Sequence, residues 1–150
     1  MSQAFVDADG HIMERENEIN EYIDQTYLGR GKLSFRQMLP SLDKFHTPRS
    51  RHIEPEGLFD ASVGPERWLE FLKKTGIECS VLYPTAGLSY GQVHFPQWAT
   101  AYARAYNDWL SEKYLKFSDK LKGVALIPVQ DVPAAVQELR RAVKDLGMVC

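Results

Sequence analysis

The densest cluster of groups able to do chemistry lies near the start of the chain, in Asp7-Ala-Asp9-Gly-His11-Ile-Met-Glu14. Alternate side chains of a strand share a face, so Asp7, Asp9 and His11 are expected to point the same way. Three ionisable groups on one face would be costly in an apolar core. They suit the mouth of a parallel sheet where a divalent metal is held. Asp9 offers oxygen and His11 nitrogen side by side, while Gly10 keeps the opposite face slim. Glu14, just past the strand end, is placed to be a further ligand or a partner of His11. The same residues also fit a strand end running into a polar turn with solvated carboxylates, and spacing alone does not choose between the two.

A second cluster is basic: Lys44-Phe-His46-Thr-Pro-Arg49-Ser-Arg51-His52. Lying over a site, this loop would attract an anionic substrate, with Arg49 or Arg51 clamping a carboxylate and His52 beside them. It reads equally as a solvated loop. A third segment, Pro84-Thr-Ala-Gly-Leu-Ser-Tyr90-Gly91, directly follows an apolar run. Loops after strand C-termini line ligand sites in parallel α/β proteins, which makes Thr85 a candidate substrate contact and Gly87 a point of close backbone approach. Ordinary turn chemistry explains it as well. The glycine patterns of nucleotide-phosphate cradles are absent, and no Ser/His/Asp or Cys/His nucleophile arrangement can be assembled.

These groups need elements to hold them. A first strand is expected over 4–9, followed by an irregular stretch from 12 to 61 with one short helix at 33–42. Ser62 or Gly64 caps a helix with Pro65 in its first turn and Gly76 as its left-handed stop. A buried strand over 79–83 ends at Pro84. A long helix over 97–117 carries Trp98, Tyr102, Ala105, Tyr106 and Trp109 at helical spacing. A strand over 123–127 ends at Pro128, and Asp131 caps a helix whose Val132, Val136, Leu139, Val143 and Leu146 form one stripe. Met148-Val-Cys150 reads as the first residues of a fourth strand. Apolar strands alternating with amphipathic helices make an α/β protein with a parallel sheet. The expected organisation is a partial barrel: 1–11 as first strand with the metal motif, 12–61 as insertion, and 62–150 as βα units. About three and a half such units form the N-terminal half of an eight-stranded (β/α)8 TIM barrel.

Composition narrows the partners. Across 150 residues, 18 Lys plus Arg against 20 Asp plus Glu give a net charge of −2, which leaves no basic excess for nucleic acid. No apolar run approaches the roughly 20 residues that cross a bilayer, and the N-terminus lacks a secretory pattern. Only Cys79 and Cys150 are present, which fits a reducing compartment and a cytoplasmic location.

The chain resembles the amidohydrolase superfamily, in its branch of aminocarboxymuconate semialdehyde and resorcylate decarboxylases. The resemblance rests on Val6-Asp-Ala-Asp-Gly-His-Ile-Met-Glu14, Ser80-Val-Leu-Tyr-Pro-Thr-Ala-Gly-Leu88, Ala105-Tyr-Asn-Asp-Trp-Leu110 and Leu121-Lys-Gly-Val-Ala-Leu-Ile-Pro128. It implies one divalent metal ion, zinc or manganese, with Asp9 in place of the first histidine of a His-x-His pair and His11 as the second. A carboxylate first ligand makes the site harder and favours manganese. The family's other essential groups, a histidine after a middle strand and an acid/base aspartate at the last strand, have no counterpart in these residues. The implied activity is hydrolysis or non-oxidative decarboxylation of a small carboxylated, often aromatic, substrate. The alternative expectation is a barrel fragment that self-associates or binds a partner through its open sheet edge.

Overall fold

A computed structural model describes residues 4–28 and 63–150. The basic cluster with Arg49, Arg51 and His52, and the helix expected over 33–42, lie outside the described residues. The elements are β1 (Phe5–Ile12), α1 (Glu16–Ile19), α2 (Gln25–Leu28), α3 (Pro65–Thr75), β2 (Ile77–Pro84), a 3-10 turn (Ala86–Gln92), α4 (Pro96–Leu110), β3 (Leu121–Gly123) and α5 (Val132–Lys144). The strands form one sheet in the order β1-β2-β3, with both pairings parallel. Beside β3, the Val149 N–H donates to the Gly123 carbonyl and the Ala125 N–H to that of Cys150. Residues 148–150 therefore lie where a fourth parallel strand begins.

The helix boundaries follow local chemistry. Pro65 opens α3 behind Gly64, and Gly76 closes it at φ 72°, a left-handed conformation that glycine adopts without strain. The Asp131 carboxylate accepts the Ala134 N–H at 3.1 Å and caps α5. Two boundaries differ from expectation. β1 runs through His11 to Ile12, so the motif lies inside the paired strand and not past its end. The long helix keeps α geometry only to Leu110 and then widens into one π turn, Ser111–Leu115.

One hydrophobic cluster joins Ile12, Leu82 and Leu121 of the sheet to Tyr102, Tyr106, Trp109 and Leu110 of α4. The stripe expected on α4 is thus its core face. On α5 the stripe is not what the helix buries: Val132, Val136, Leu139 and Val143 are exposed, whereas Glu138 and Ala142 are buried. The buried side of α5 is polar because α4 meets it with Asn107. That side chain donates to the Leu126 carbonyl and to Glu138 Oε1 and accepts the Leu126 N–H. Arg141 completes the network by holding Glu138 and Asp108.

β1 is irregular at the point that matters most. Asp7 pairs with Ser80 and Gly10 with Leu82, so two residues, Ala8 and Asp9, oppose Val81 alone. This is a β-bulge, and it reverses the alternation. Asp7, Gly10 and Ile12 share the helix-covered face with Ser80 and Leu82. A Cβ on Gly10 would come 2.2 Å from Ser80 Oγ, so the strand fits there only as glycine.

Candidate metal centre

The bulge divides the acidic motif between the two faces of the sheet. The expectation that Asp7, Asp9 and His11 point one way is corrected for Asp7: its Oδ2 accepts a hydrogen bond from the buried Ser80 Oγ at 2.6 Å, on the helix side. Its Oδ1 accepts the Asp9 N–H at 3.1 Å and closes the bulge. Asp7 is a strap within the sheet.

Asp9 and His11 remain together on the open face. Asp9 Oδ1 lies 3.6 Å from His11 Nε2, with the Asp9 side chain 87% exposed and that of His11 37% exposed. The other ring nitrogen, Nδ1, is 3.3 Å from Thr85 Oγ1, and the imidazole stacks on Tyr83 at a centroid distance of 6.0 Å. One oxygen and one nitrogen donor therefore present themselves to the same solvent-open space. A hydroxyl behind the imidazole leaves Nε2 as the outward donor. These residues fit a share of a divalent-metal site, with the carboxylate and imidazole donors such an ion takes.

Glu14 does not join them. Among the described residues, no group of three or more His, Cys, Asp or Glu side chains converges as metal ligands would. The Glu14 carboxylate instead accepts three consecutive backbone N–H groups: Thr85 at 3.1 Å, Ala86 at 2.9 Å and Gly87 at 2.7 Å. Loss of hydration pushes its pKa up, more strongly than the N–H groups of Ala86, Gly87 and Thr85 pull it down. Burial raises the Tyr102 and Tyr106 phenols of α4 well above their usual value, and the charge of Glu14 raises them further.

Thr85, expected as a substrate contact, is buried, with its N–H on Glu14 and its hydroxyl on His11. Gly87 does serve a close approach, though to protein: a Cβ there would meet Pro84 Cβ at 2.6 Å and Glu14 Oε1 at 3.2 Å. Tyr83 was not singled out by sequence reasoning. Strand alternation from the buried Ser80, Leu82 and Pro84 puts it on the open face. That signal becomes usable only once the β1–β2 register is known.

No protein-family model matches the chain. Among curated proteins, it is 49% identical over 47 residues to the gamma-resorcylate decarboxylase of Rhodococcus jostii (strain RHA1), a match covering 31% of this chain and 14% of that protein. It is 45% identical over 47 residues to the protein of the same name from Polaromonas sp. (strain JS666 / ATCC BAA-500), with the same coverage. Among solved structures, it superposes on a 2,6-dihydroxybenzoate decarboxylase from Rhizobium with a TM-score of 0.58 and 24% identity, covering 99% of this chain and 37% of that one. A Polaromonas dihydroxybenzoic acid decarboxylase, solved with bound manganese and the inhibitor 2-nitroresorcinol, gives a TM-score of 0.59 at 21% identity, again with 99% and 37% coverage. The chain spans about a third of the length of these solved relatives. The fold is that of a partial TIM barrel, and the resemblance to the decarboxylase branch of the amidohydrolase superfamily is borne out.

Proposed function

We propose that this chain carries the first-strand share of a metal-dependent, non-oxidative decarboxylase site acting on a hydroxylated benzoate, with Asp9 and His11 as ligands of one divalent ion, zinc or manganese. The observation that carries this reading is the paired presentation of Asp9 Oδ1 and His11 Nε2, 3.6 Å apart on the open face of the sheet. The similarity to gamma-resorcylate and 2,6-dihydroxybenzoate decarboxylases favours decarboxylation over hydrolysis, and the manganese in one such structure agrees with a carboxylate first ligand. A bound ion there would supply a Lewis acid for substrate oxygens. The chain's own residues do the positioning. His11 is backed by Thr85 and stacked on Tyr83, so its outward nitrogen needs little reorganisation to act as a ligand. Arg49, Arg51 and His52 are proposed as the carboxylate-attracting loop, and Thr85 as reaching the substrate side only through His11.

The test is elemental mass spectrometry on the 150-residue chain purified with Mn2+ and, separately, with Zn2+, beside His11→Ala and Asp9→Ala. Release of carbon dioxide from 2,6-dihydroxybenzoate is followed in the same samples. Stoichiometric metal in the wild type that is lost in both variants is expected. Equal metal content in all three proteins would remove Asp9 and His11 from the site. Among the described residues no helix is long and apolar enough to cross a membrane, so these assays need no detergent on that account.

A further inference from the structure

Glu14 is the one acidic residue of the first-strand motif that the metal reading leaves without a chemical task. Its placement is nevertheless specific. It projects from the segment just after β1 into the turn after β2 and gathers three successive amide N–H groups on its two oxygens. The first of these amides belongs to Thr85, whose hydroxyl stands 3.3 Å from His11 Nδ1. Pro84 is paired with Ile12 at the end of the β1–β2 ladder, and Gly87 packs against Pro84 too closely for any side chain. The turn is thus fixed at both ends, by the ladder before Thr85 and by the carboxylate across 85–87.

We infer that Glu14 is a positioning residue: by clamping the amides of Thr85, Ala86 and Gly87 it holds the Thr85 hydroxyl behind His11 and so fixes the tautomer and ring orientation with which His11 offers Nε2. The inference rests on the metal reading of Asp9 and His11 for its purpose, but not for its geometry. The chain of contacts runs from Glu14 to the Thr85 N–H, and from the Thr85 hydroxyl to Nδ1. Glu14 makes no hydrogen bond to His11 or Asp9 among the described residues. A carboxylate suits this task because it is acceptor-only and can take several N–H groups at once. Glutamine, with one acceptor oxygen, would turn an N–H group toward the same amides. Outer partners of metal-bound histidine commonly act in this way, and losing one costs about 10–100-fold in metal affinity.

The experiment uses the full chain as wild type, Thr85→Val, Glu14→Gln and the double variant. Mn2+ affinity is measured by calorimetry, and the His11 ring nitrogens are read by 15N NMR without metal. Each single variant is expected to weaken Mn2+ binding about 10–100-fold. The double variant is expected to be no weaker than Thr85→Val alone, because both substitutions break the same relay. The wild type should show one His11 tautomer, and the variants a mixture. Glu14→Gln with a lowered melting temperature but wild-type Mn2+ affinity and tautomer would overturn the inference, leaving Glu14 a stabilising tie. Losses that add in the double variant would overturn it as well. If the wild type binds no Mn2+, the metal reading fails and the tautomer comparison alone decides this one. Should Glu14→Gln not fold, Gly87→Ala disturbs the clamp from the loop side, and an unchanged His11 tautomer there counts against the inference.

Discussion

Replacing Trp109 with Ala is expected to lower the unfolding free energy by about 3–5 kcal/mol, measured by urea denaturation followed by far-UV circular dichroism. Trp109 is fully buried, its ring lies 5.4 Å from Tyr114 and 5.9 Å from Tyr106, and its indole N–H donates to Glu18 Oε2 at 2.8 Å. The substitution therefore opens a cavity between α4 and the π turn and also removes a donor from a carboxylate that α1 brings in. Trp109→Phe separates the two effects. It keeps most of the ring and should cost about 1.5–3 kcal/mol for the lost bond to a charged acceptor. The pH dependence identifies that share. Burial raises the Glu18 pKa, but the hydrogen bonds from Trp109 and Arg15 outweigh it, and the carboxyl lies below its ordinary value of 4.5. A depressed folded pKa means the unfolded chain binds more protons near that value, so this stabilisation is complete above 4.5 and fades as pH falls through the folded pKa. In Trp109→Phe the fading should be shallower, because one of the groups that depress the pKa is gone.

A comparable loss is expected from Asn107, by a different route. Its side chain satisfies both the N–H and the carbonyl of Leu126 and donates to Glu138 Oε1 at 2.8 Å, all within buried surroundings. Asn107→Ala strands these partners, and at about 1–3 kcal/mol for each unsatisfied buried group the total should reach about 3–5 kcal/mol. Asn107→Asp is the sharper probe. It replaces the amide donor facing Glu138 with a second carboxylate and removes the donor to Leu126, while Arg141 can offset only part of the added charge. Two carboxylates at that distance share a proton, so the folded state binds more protons than the unfolded one and stability falls as pH rises. The destabilisation of Asn107→Asp should therefore be greater at pH 7 than near pH 4, whereas that of Asn107→Ala should vary less. Equal pH profiles for the two variants would show that Glu138 and residue 107 are not electrostatically coupled.

These two residues also show where sequence reading succeeds and where it stops. Trp109 was legible because helical spacing places it in register with Trp98, Tyr102 and Tyr106, and a periodic pattern needs no tertiary information. The strands, the Gly76 and Asp131 boundaries and the parallel arrangement were legible for the same reason. Asn107 was readable only as a polar residue within reach of a neighbouring loop, since its partners are the Leu126 backbone and a carboxylate 31 residues away. On α5 the strongest apolar pattern marks the exposed side, because a network anchored on α4 decides which side is buried. At the metal centre, Asp9 and His11 follow from residue type and spacing. The reassignment of Asp7 follows from a bulge, and bulges leave no periodic trace in a strand this short. The task of Glu14 depends on amides 71 to 73 residues away, which no local pattern reports.

The bulge has a bearing on how this motif can vary. Ala8 and Asp9 together face one residue of β2, so the strand holds one residue more than its pairing requires. Removing Ala8 would straighten the strand while leaving Asp7 opposite Ser80 and Gly10 opposite Leu82. A chain with adjacent acidic residues ahead of the Gly-His pair can therefore build the same two-sided arrangement as this one. Sequence alignments that treat a one-residue gap between Asp7 and Gly10 as a break in the motif would separate proteins whose sites are equivalent, and a shift of one position elsewhere in the strand would do the opposite, aligning identical letters that face opposite sides of the sheet.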